Sequence, residues 1–172
     1  SSYQKIAVYA GSLYKWKGIF VLAEAASLLK DEAMFVAVGG GPNSDQQELQ
    51  NYLNQNRIKN FLITGYVADP KIRDLYRAAA DVLVLPNTSG EKISKVYTSP
   101  LKLFSYMASK RPIVASDLPS LREILHEKNA VLVKPDSPAD LAAGLKKVLD
   151  DPLGSQVLAE QAFQDVKQYT WQ

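Results

Sequence analysis

Six short runs of this chain are apolar at nearly every position, and each is followed by a stretch whose apolar residues recur at helical spacing. The runs are Ile6 to Ala10 (IAVYA), Ala33 to Gly39 (AMFVAVG), Phe61 to Gly65 (FLITG), Val82 to Leu85 (VLVL), Ile113 to Ser116 (IVAS) and Ala130 to Val133 (AVLV). Strands that do not alternate with polar residues are covered on both faces, which predicts a parallel sheet between two layers of helices. The first helix turns Val21, Leu22, Ala25, Leu28 and Leu29 to one side, and the second Leu49, Tyr52 and Leu53. Asp69-Pro70 opens a third that carries Ile72, Leu75, Tyr76 and Ala79. Ser99-Pro100 opens a fourth through Ala108, with a stripe of Leu101, Phe104, Met107 and Ala108. Leu121, Ile124 and Leu125 mark a short helix. Ser137-Pro138 starts another with Leu141, Leu145, Val148 and Leu149 inward, and a last helical segment follows Pro152. Ser or Asp before Pro is a strong helix start, because the side-chain oxygen accepts an N–H of the first turn and proline at the first position loses no needed donor.

Right-handed crossovers and uncrossed connections favour a doubly wound sheet in the order 3-2-1-4-5-6 for six such strands. The fold class expected is therefore α/β, a six-stranded parallel Rossmann-like sheet, with residues 1–172 as one domain. In that order the winding reverses between the first and fourth strands, and ligands of such folds bind where the loops leaving those strands part. The loops are GSLYKWKG and NTSGEKISKVYTSPLK, which bring Lys15, Lys17, Lys92, Lys95 and Lys102 towards one crevice beside two helix N-termini. Helix ends and lysines together suit an anionic ligand, most plausibly a diphosphate. A solvated basic face is the plain alternative.

Composition narrows the chemistry. A hydrophobic fraction of 47% and a charged fraction of 22% are those of an ordinary globular chain, and no apolar run is long enough to cross a bilayer. There is no recognisable signal peptide, so a cytoplasmic location is expected. Lys plus Arg at 20 against Asp plus Glu at 18 gives +2, too balanced for nucleic-acid binding by bulk charge. Without cysteine, and with His126 as the lone histidine, a zinc cluster or a histidine triad is close to excluded. No metal or cofactor is expected. The nicotinamide fingerprint is missing, because Gly11 and Gly18 are separated by Tyr14 and Trp16, and there is no Walker loop. The triple glycine Gly39, Gly40, Gly41 follows the second strand, where it fits either close approach to a ligand or a tight turn.

The succession YAGSLYKWKG, VGGGP, ITGYV, ADVLVLP and SPLKLFSYMASKRPIVASDLPSLREIL resembles the C-terminal, donor-binding half of the retaining glycosyltransferases of family 4, which have the GT-B fold. The resemblance covers nearly the whole chain. It implies a nucleotide-diphosphate sugar as donor substrate, with the acceptor held by an N-terminal domain that this chain lacks. It further implies diphosphate contacts from Gly11, Ser12, Lys17, Ser99, Pro100, Leu101 and Lys102, and nucleoside contacts from Gly40, Gly41, Tyr66, Val67 and Ser105. No catalytic residue follows from it. The leaving diphosphate would be stabilised by lysine and helix-end amides instead of a metal.

The sequence departs from the family pattern at three positions. Ser12 stands where many relatives have an arginine, and Tyr97 and Ser105 stand where they have two glutamates, the second of which bonds the ribose hydroxyls. A serine should hold the ribose more weakly than a carboxylate, by about 1 kcal/mol. A nucleotide-binding module without transferase activity is therefore a second reading, and a nucleotide-sugar epimerase a third. The chain begins a few residues before the first strand and ends at YTWQ, so it is expected to transfer no sugar alone. Peripheral membrane association is compatible with the full-length protein.

Overall fold

The computed structural model describes residues 5–90 and 99–169. Six strands form one sheet: β1 (Ile6–Ala10), β2 (Met34–Val38), β3 (Phe61–Ile63), β4 (Val82–Leu85), β5 (Ile113–Ser116) and β6 (Val131–Val133). Their order is β3-β2-β1-β4-β5-β6 and every pairing is parallel, as the apolar runs predict. The helices are α1 (Ile19–Leu28), α2 (Gln46–Gln55), α3 (Pro70–Ala79), α4 (Pro100–Ala108), α5 (Pro119–Arg122), α6 (Pro138–Asp150) and α7 (Pro152–Val166). None is long and apolar enough to cross a membrane among the described residues.

Because successive strand side chains point to opposite faces, the sheet divides the interior into two cores. On one face Ala7, Tyr9, Phe35, Val82 and Val84 meet α1, α2 and α6 through Ile19, Leu22, Leu49, Leu53, Leu141 and Leu145. On the other, Val8, Ala10, Leu83, Leu85 and Ile113 meet α4, α5 and α7 through Leu103, Tyr106, Met107, Leu121, Ala162 and Val166.

The helix starts divide. The Asp69 carboxylate accepts from Lys71 N at 2.9 Å, and Ser137 Oγ accepts from Asp140 N at 3.2 Å. Ser99 makes no such side-chain bond, so α4 opens on Pro100 alone and its first-turn amides keep no cap from that hydroxyl. The inward face of α4 also differs from expectation. Leu103, Tyr106 and Met107 are buried, whereas Leu101 is 74% exposed and Ala108 also faces out. Tyr106 turns inward because its phenol finds backbone partners there, which a count of apolar positions does not register. In α1, Leu28 faces solvent and Ile19, Ala23 and Ala26 take the inner positions. Helix α3 buries none of its residues; Ile72 and Leu75 are exposed, and contact with the core runs through Val67 and the half-buried Tyr76.

Candidate functional site

The crevice begins where β1 and β4 part. Their pairing is confined to Ala7 with Val82 and Val8 with Leu83, so the ends of both strands are free to diverge. Tyr106 of α4 bridges the gap: its hydroxyl accepts from Ala10 N at 2.8 Å and donates to Val84 O at 3.2 Å. One phenol thus satisfies a donor and an acceptor that strand pairing leaves over.

The loop leaving β1 is held from both sides. Asp45 at the start of α2 accepts from Lys15 N through Oδ2 at 2.7 Å, and its own N–H donates to Leu13 O at 2.7 Å. From the other side, Thr88 just beyond β4 donates to Trp16 O through Oγ1 at 2.9 Å and through N–H at 3.2 Å. Lys15–Lys17 form a single 3-10 turn that closes on Gly18, whose φ of 80° lies in the left-handed region. A Cβ on Gly18 would sit 1.7 Å from Pro86 O, so only glycine lets the turn rest against β4. The backbone of Lys17 is therefore fixed at the mouth of the sheet.

Of the five lysines that the loop sequences bring towards the crevice, three are among the described residues, and two of these stand at its mouth without a described carboxylate. Lys15 is committed to Glu48 of α2, with Nζ 2.7 Å from Oε1. Lys92 and Lys95, like Tyr97 and Glu91, lie outside the described residues. Lys17 and Lys102 have no carboxylate partner among the described residues. Lys17 Nζ lies 4.9 Å from the ring centre of Trp16, which itself stacks on Tyr14 at 6.1 Å with an interplanar angle of 6°. Burial pushes the Lys17 ammonium below the usual lysine range.

Lys102 lies deeper. It springs from α4 on one face of the sheet, yet its Nζ ends 3.9 Å from the ring centre of Tyr9, which belongs to the core of the other face. It passes over the mouth where β1 and β4 part, with Tyr106 at 5.8 Å. Gly11 leaves room for it, since a Cβ there would stand 2.6 Å from Nζ. Burial, and then the charge of Lys17, push Lys102 well below the ordinary lysine range. Tyr9 Oη donates to Ser12 O at 2.7 Å, and burial followed by Tyr106 pushes that phenol up, so it stays protonated as a donor.

Beside this cation pair runs an open cleft of about 340 Å³, lined by Ser12, Tyr14, Gly40, Gly41, Pro42, Asn43, Ser44 and Tyr66. Gln46 Oε1 accepts from Gly41 N at 3.1 Å and Ser44 Oγ donates to Gly41 O at 2.7 Å, which fixes the glycine turn. Tyr66 is 73% exposed on the rim, and Val67 is half-buried with its carbonyl accepting from Arg73 at 3.1 Å. Ser12, Gly40, Gly41 and Tyr66 thus share one cleft, and Gly11, Lys17 and Lys102 adjoin it. Ser99, Pro100 and Leu101 stand exposed at the start of α4. Ser105 lies apart: its Oγ donates to Leu101 O at 2.9 Å, and it lines a separate groove with Asp74, Arg77 and Ser109 between α3 and α4.

Sequence reasoning missed Tyr9, Tyr106 and Asn87. Asn87, one residue past Pro86 at the end of β4, is buried with Oδ1 unpartnered. The spacing of Lys102 and Tyr106, one helical turn apart, was the available signal for the tyrosine.

Comparison with known proteins gives this arrangement a family. TuaC of Bacillus subtilis, a glycosyltransferase whose name assigns it to teichuronic acid biosynthesis, is 29% identical over 164 residues, covering 95% of this chain and 38% of TuaC. The C-terminal domain of the group 1 glycosyl transferase LpcC from Francisella tularensis superposes with a TM-score of 0.83 at 23% identity, over 99% of this chain and 88% of that one. HepE of Anabaena, solved in complex with UDP, superposes with a TM-score of 0.81 at 21% identity, over 95% of this chain and 44% of its own. These likenesses are of fold alone, a Rossmann-like parallel sheet between helices. The chain spans about two fifths of the length of the curated relatives it matches. The model of the glycosyl transferases group 1 family matches residues 4–151, and the chain belongs to that family.

Proposed function

We propose that this chain binds the nucleotide-diphosphate sugar donor of a retaining glycosyltransferase and forms the C-terminal, donor-binding part of a longer enzyme, with the acceptor held by an N-terminal domain. The observation that carries this is the pair Lys17 and Lys102, two half-buried lysines without carboxylate partners among the described residues, at the reversal point of the sheet. A diphosphate supplies the negative charge the pair lacks. The adjoining cleft, rimmed by Tyr66 and floored by Gly40 and Gly41, has the size and apolar rim for a nucleoside. Charge that develops on the leaving diphosphate is stabilised by the two ammonium groups and the first amides of α4, without a metal.

The family likeness to a protein solved with UDP makes UDP the first probe. Calorimetric titration with UDP, ADP, GDP and uridine tests the reading. The expected result is binding of at least one diphosphate and at least tenfold weaker binding of uridine, a gap of about 1.4 kcal/mol. Equal affinity for UDP and uridine sinks the diphosphate assignment. In a glycosyl-transfer assay the chain alone turns over no donor, because the side that the acceptor domain would cover is open to water.

One observation favours a second reading, a nucleotide-binding module without transfer: Ser105 has no carboxylate and is committed to Leu101 O. Replacing Ser105 with Glu and comparing UDP with its 2′-deoxy counterpart separates the two. A gain for the ribonucleotide alone marks Ser105 as the place where a ribose contact was lost.

A further inference from the structure

Resting on the donor-binding reading, we propose that Tyr9 and Tyr106 are positioning residues that hold Lys102 in an aromatic box, making Lys102 a phosphate anchor that takes up a proton as its ligand enters.

The geometry is specific. An ammonium 3.9 Å from one ring centre and 5.8 Å from another interacts with π faces, which stabilise a cation far less than a carboxylate does at the same depth. Gly11 leaves open the space that the nitrogen fills, since a Cβ there would stand 2.6 Å from Nζ. The two rings are themselves pinned, Tyr9 through Ser12 O and Tyr106 through Ala10 N and Val84 O, so the walls of the box are fixed while half-buried Lys102 keeps one side open to a ligand. The charged group that acts on it is cationic, Lys17 from the turn after β1; behind Tyr106 stands the Arg77 guanidinium of α3, itself paired with Asp74. Among the described residues no Asp or Glu approaches the nitrogen from β1, α3, α4 or the turn. Desolvation and the neighbouring charge favour the neutral amine in the empty site, in agreement with the lowered pKa of this lysine. A phosphate oxygen beside the amine reverses both influences, so binding and protonation are linked.

The experiment is titration of the chain with UDP in two buffers of different ionisation heat, repeated from about pH 7.5 to about pH 8.5, where the ligand's phosphate is almost fully ionised and its uracil N3–H still keeps its proton. Wild type is expected to take up a measurable fraction of a proton, at most one from Lys102, per UDP bound. Lys102→Arg, which cannot lose its proton, is expected to bind UDP with no uptake. Tyr9→Leu opens the box and is expected to shrink the uptake, although Tyr9 has no contact with the ligand. Uptake that persists in Lys102→Arg belongs to Lys17 and overturns the proposal, as does buffer-independent binding by wild type. Wild type that binds no diphosphate at all removes the donor-binding reading itself.

Discussion

Two groups of cations among the described residues of this molecule contrast. On the outside, Arg122 is held by Asp117 at 2.6 Å and Glu127 at 2.5 Å, Lys146 by Glu32 at 2.7 Å and Asp150 at 3.2 Å, and Lys15 by Glu48 at 2.7 Å. At the mouth of the sheet, Lys17 and Lys102 are more deeply placed and have aromatic rings where the others have carboxylates. The two groups are oppositely perturbed: the pKa of Lys15, Lys146 and Arg122 is raised by hydrogen bonds to acids, and that of Lys17 and Lys102 is lowered by burial. Exposed pairs are nearly neutral to stability, whereas a desolvated cation without a partner costs stability. On the donor-binding proposal, a bound diphosphate would offset that cost. The net charge of +2 conceals this division, because it counts both populations alike.

The largest expected effect comes from breaking the turn that presents Lys17. Gly18→Ala drives a Cβ into Pro86 O, backbone against backbone, at a left-handed φ. Loss of about 3 kcal/mol or more of unfolding free energy is expected in urea denaturation. A loss below about 1 kcal/mol means that the turn and β4 are not rigidly joined.

Lys17→Ala against Lys15→Ala tests the comparison directly, since the two lysines flank Trp16 and differ in partner. Removing Lys17 is expected to weaken UDP by about 1.5–3 kcal/mol, as for a charge-assisted contact, with folding little changed. Removing Lys15 is expected to leave UDP affinity within a factor of about two, because its charge is already met by Glu48. Calorimetry on both variants decides, and equal losses erase the distinction.

Much of this contrast was hidden in the sequence for physical reasons. Strand order was legible because fully apolar runs such as IAVYA and VLVL admit few topologies once crossover handedness is imposed. The crevice followed from that order. The partner of each lysine was not legible, because Lys15 and Glu48 are brought together by the docking of α2 and lie far apart in sequence. Tyr106 escaped because periodicity weighs a side chain as a whole, and its burial depends on two backbone groups exposed only where β1 and β4 part. Leu101 and Phe104 were expected inward on the same apolar count, and the rotation of α4 that buries Tyr106 turns Leu101 out.

Lys102→Met sharpens the comparison through pH. A lysine whose folded pKa lies below its unfolded one binds fewer protons in the folded state, so its penalty is full below the folded pKa and fades as pH rises towards the unfolded value. The variant is therefore expected to be more stable than wild type near neutral pH, with the gap narrowing as pH rises towards the ordinary lysine range. Urea unfolding across that span measures it. A gap that widens with pH contradicts the assignment of Lys102 as a cation kept at a cost.

The smallest effect belongs to Arg122, and its sign is opposite. Hydrogen bonds from Arg122 hold the carboxyls of Asp117 and Glu127 below the usual range, so the stability they contribute is present above that range and fades as pH falls through their folded values. Arg122→Gln is expected to lower stability slightly at neutral pH, because all three side chains are substantially exposed and solvent screens their attraction. That difference should vanish in acid, where both carboxyls are protonated in wild type and variant alike, and should shrink in high salt. UDP affinity is expected to be unchanged throughout, since Arg122 begins from α5 and its charge is met by two carboxylates. A loss of UDP binding in Arg122→Gln as large as that in Lys17→Ala would place a paired, exposed cation in the site, and depth at the mouth of the sheet without a described carboxylate partner would no longer distinguish Lys17 and Lys102.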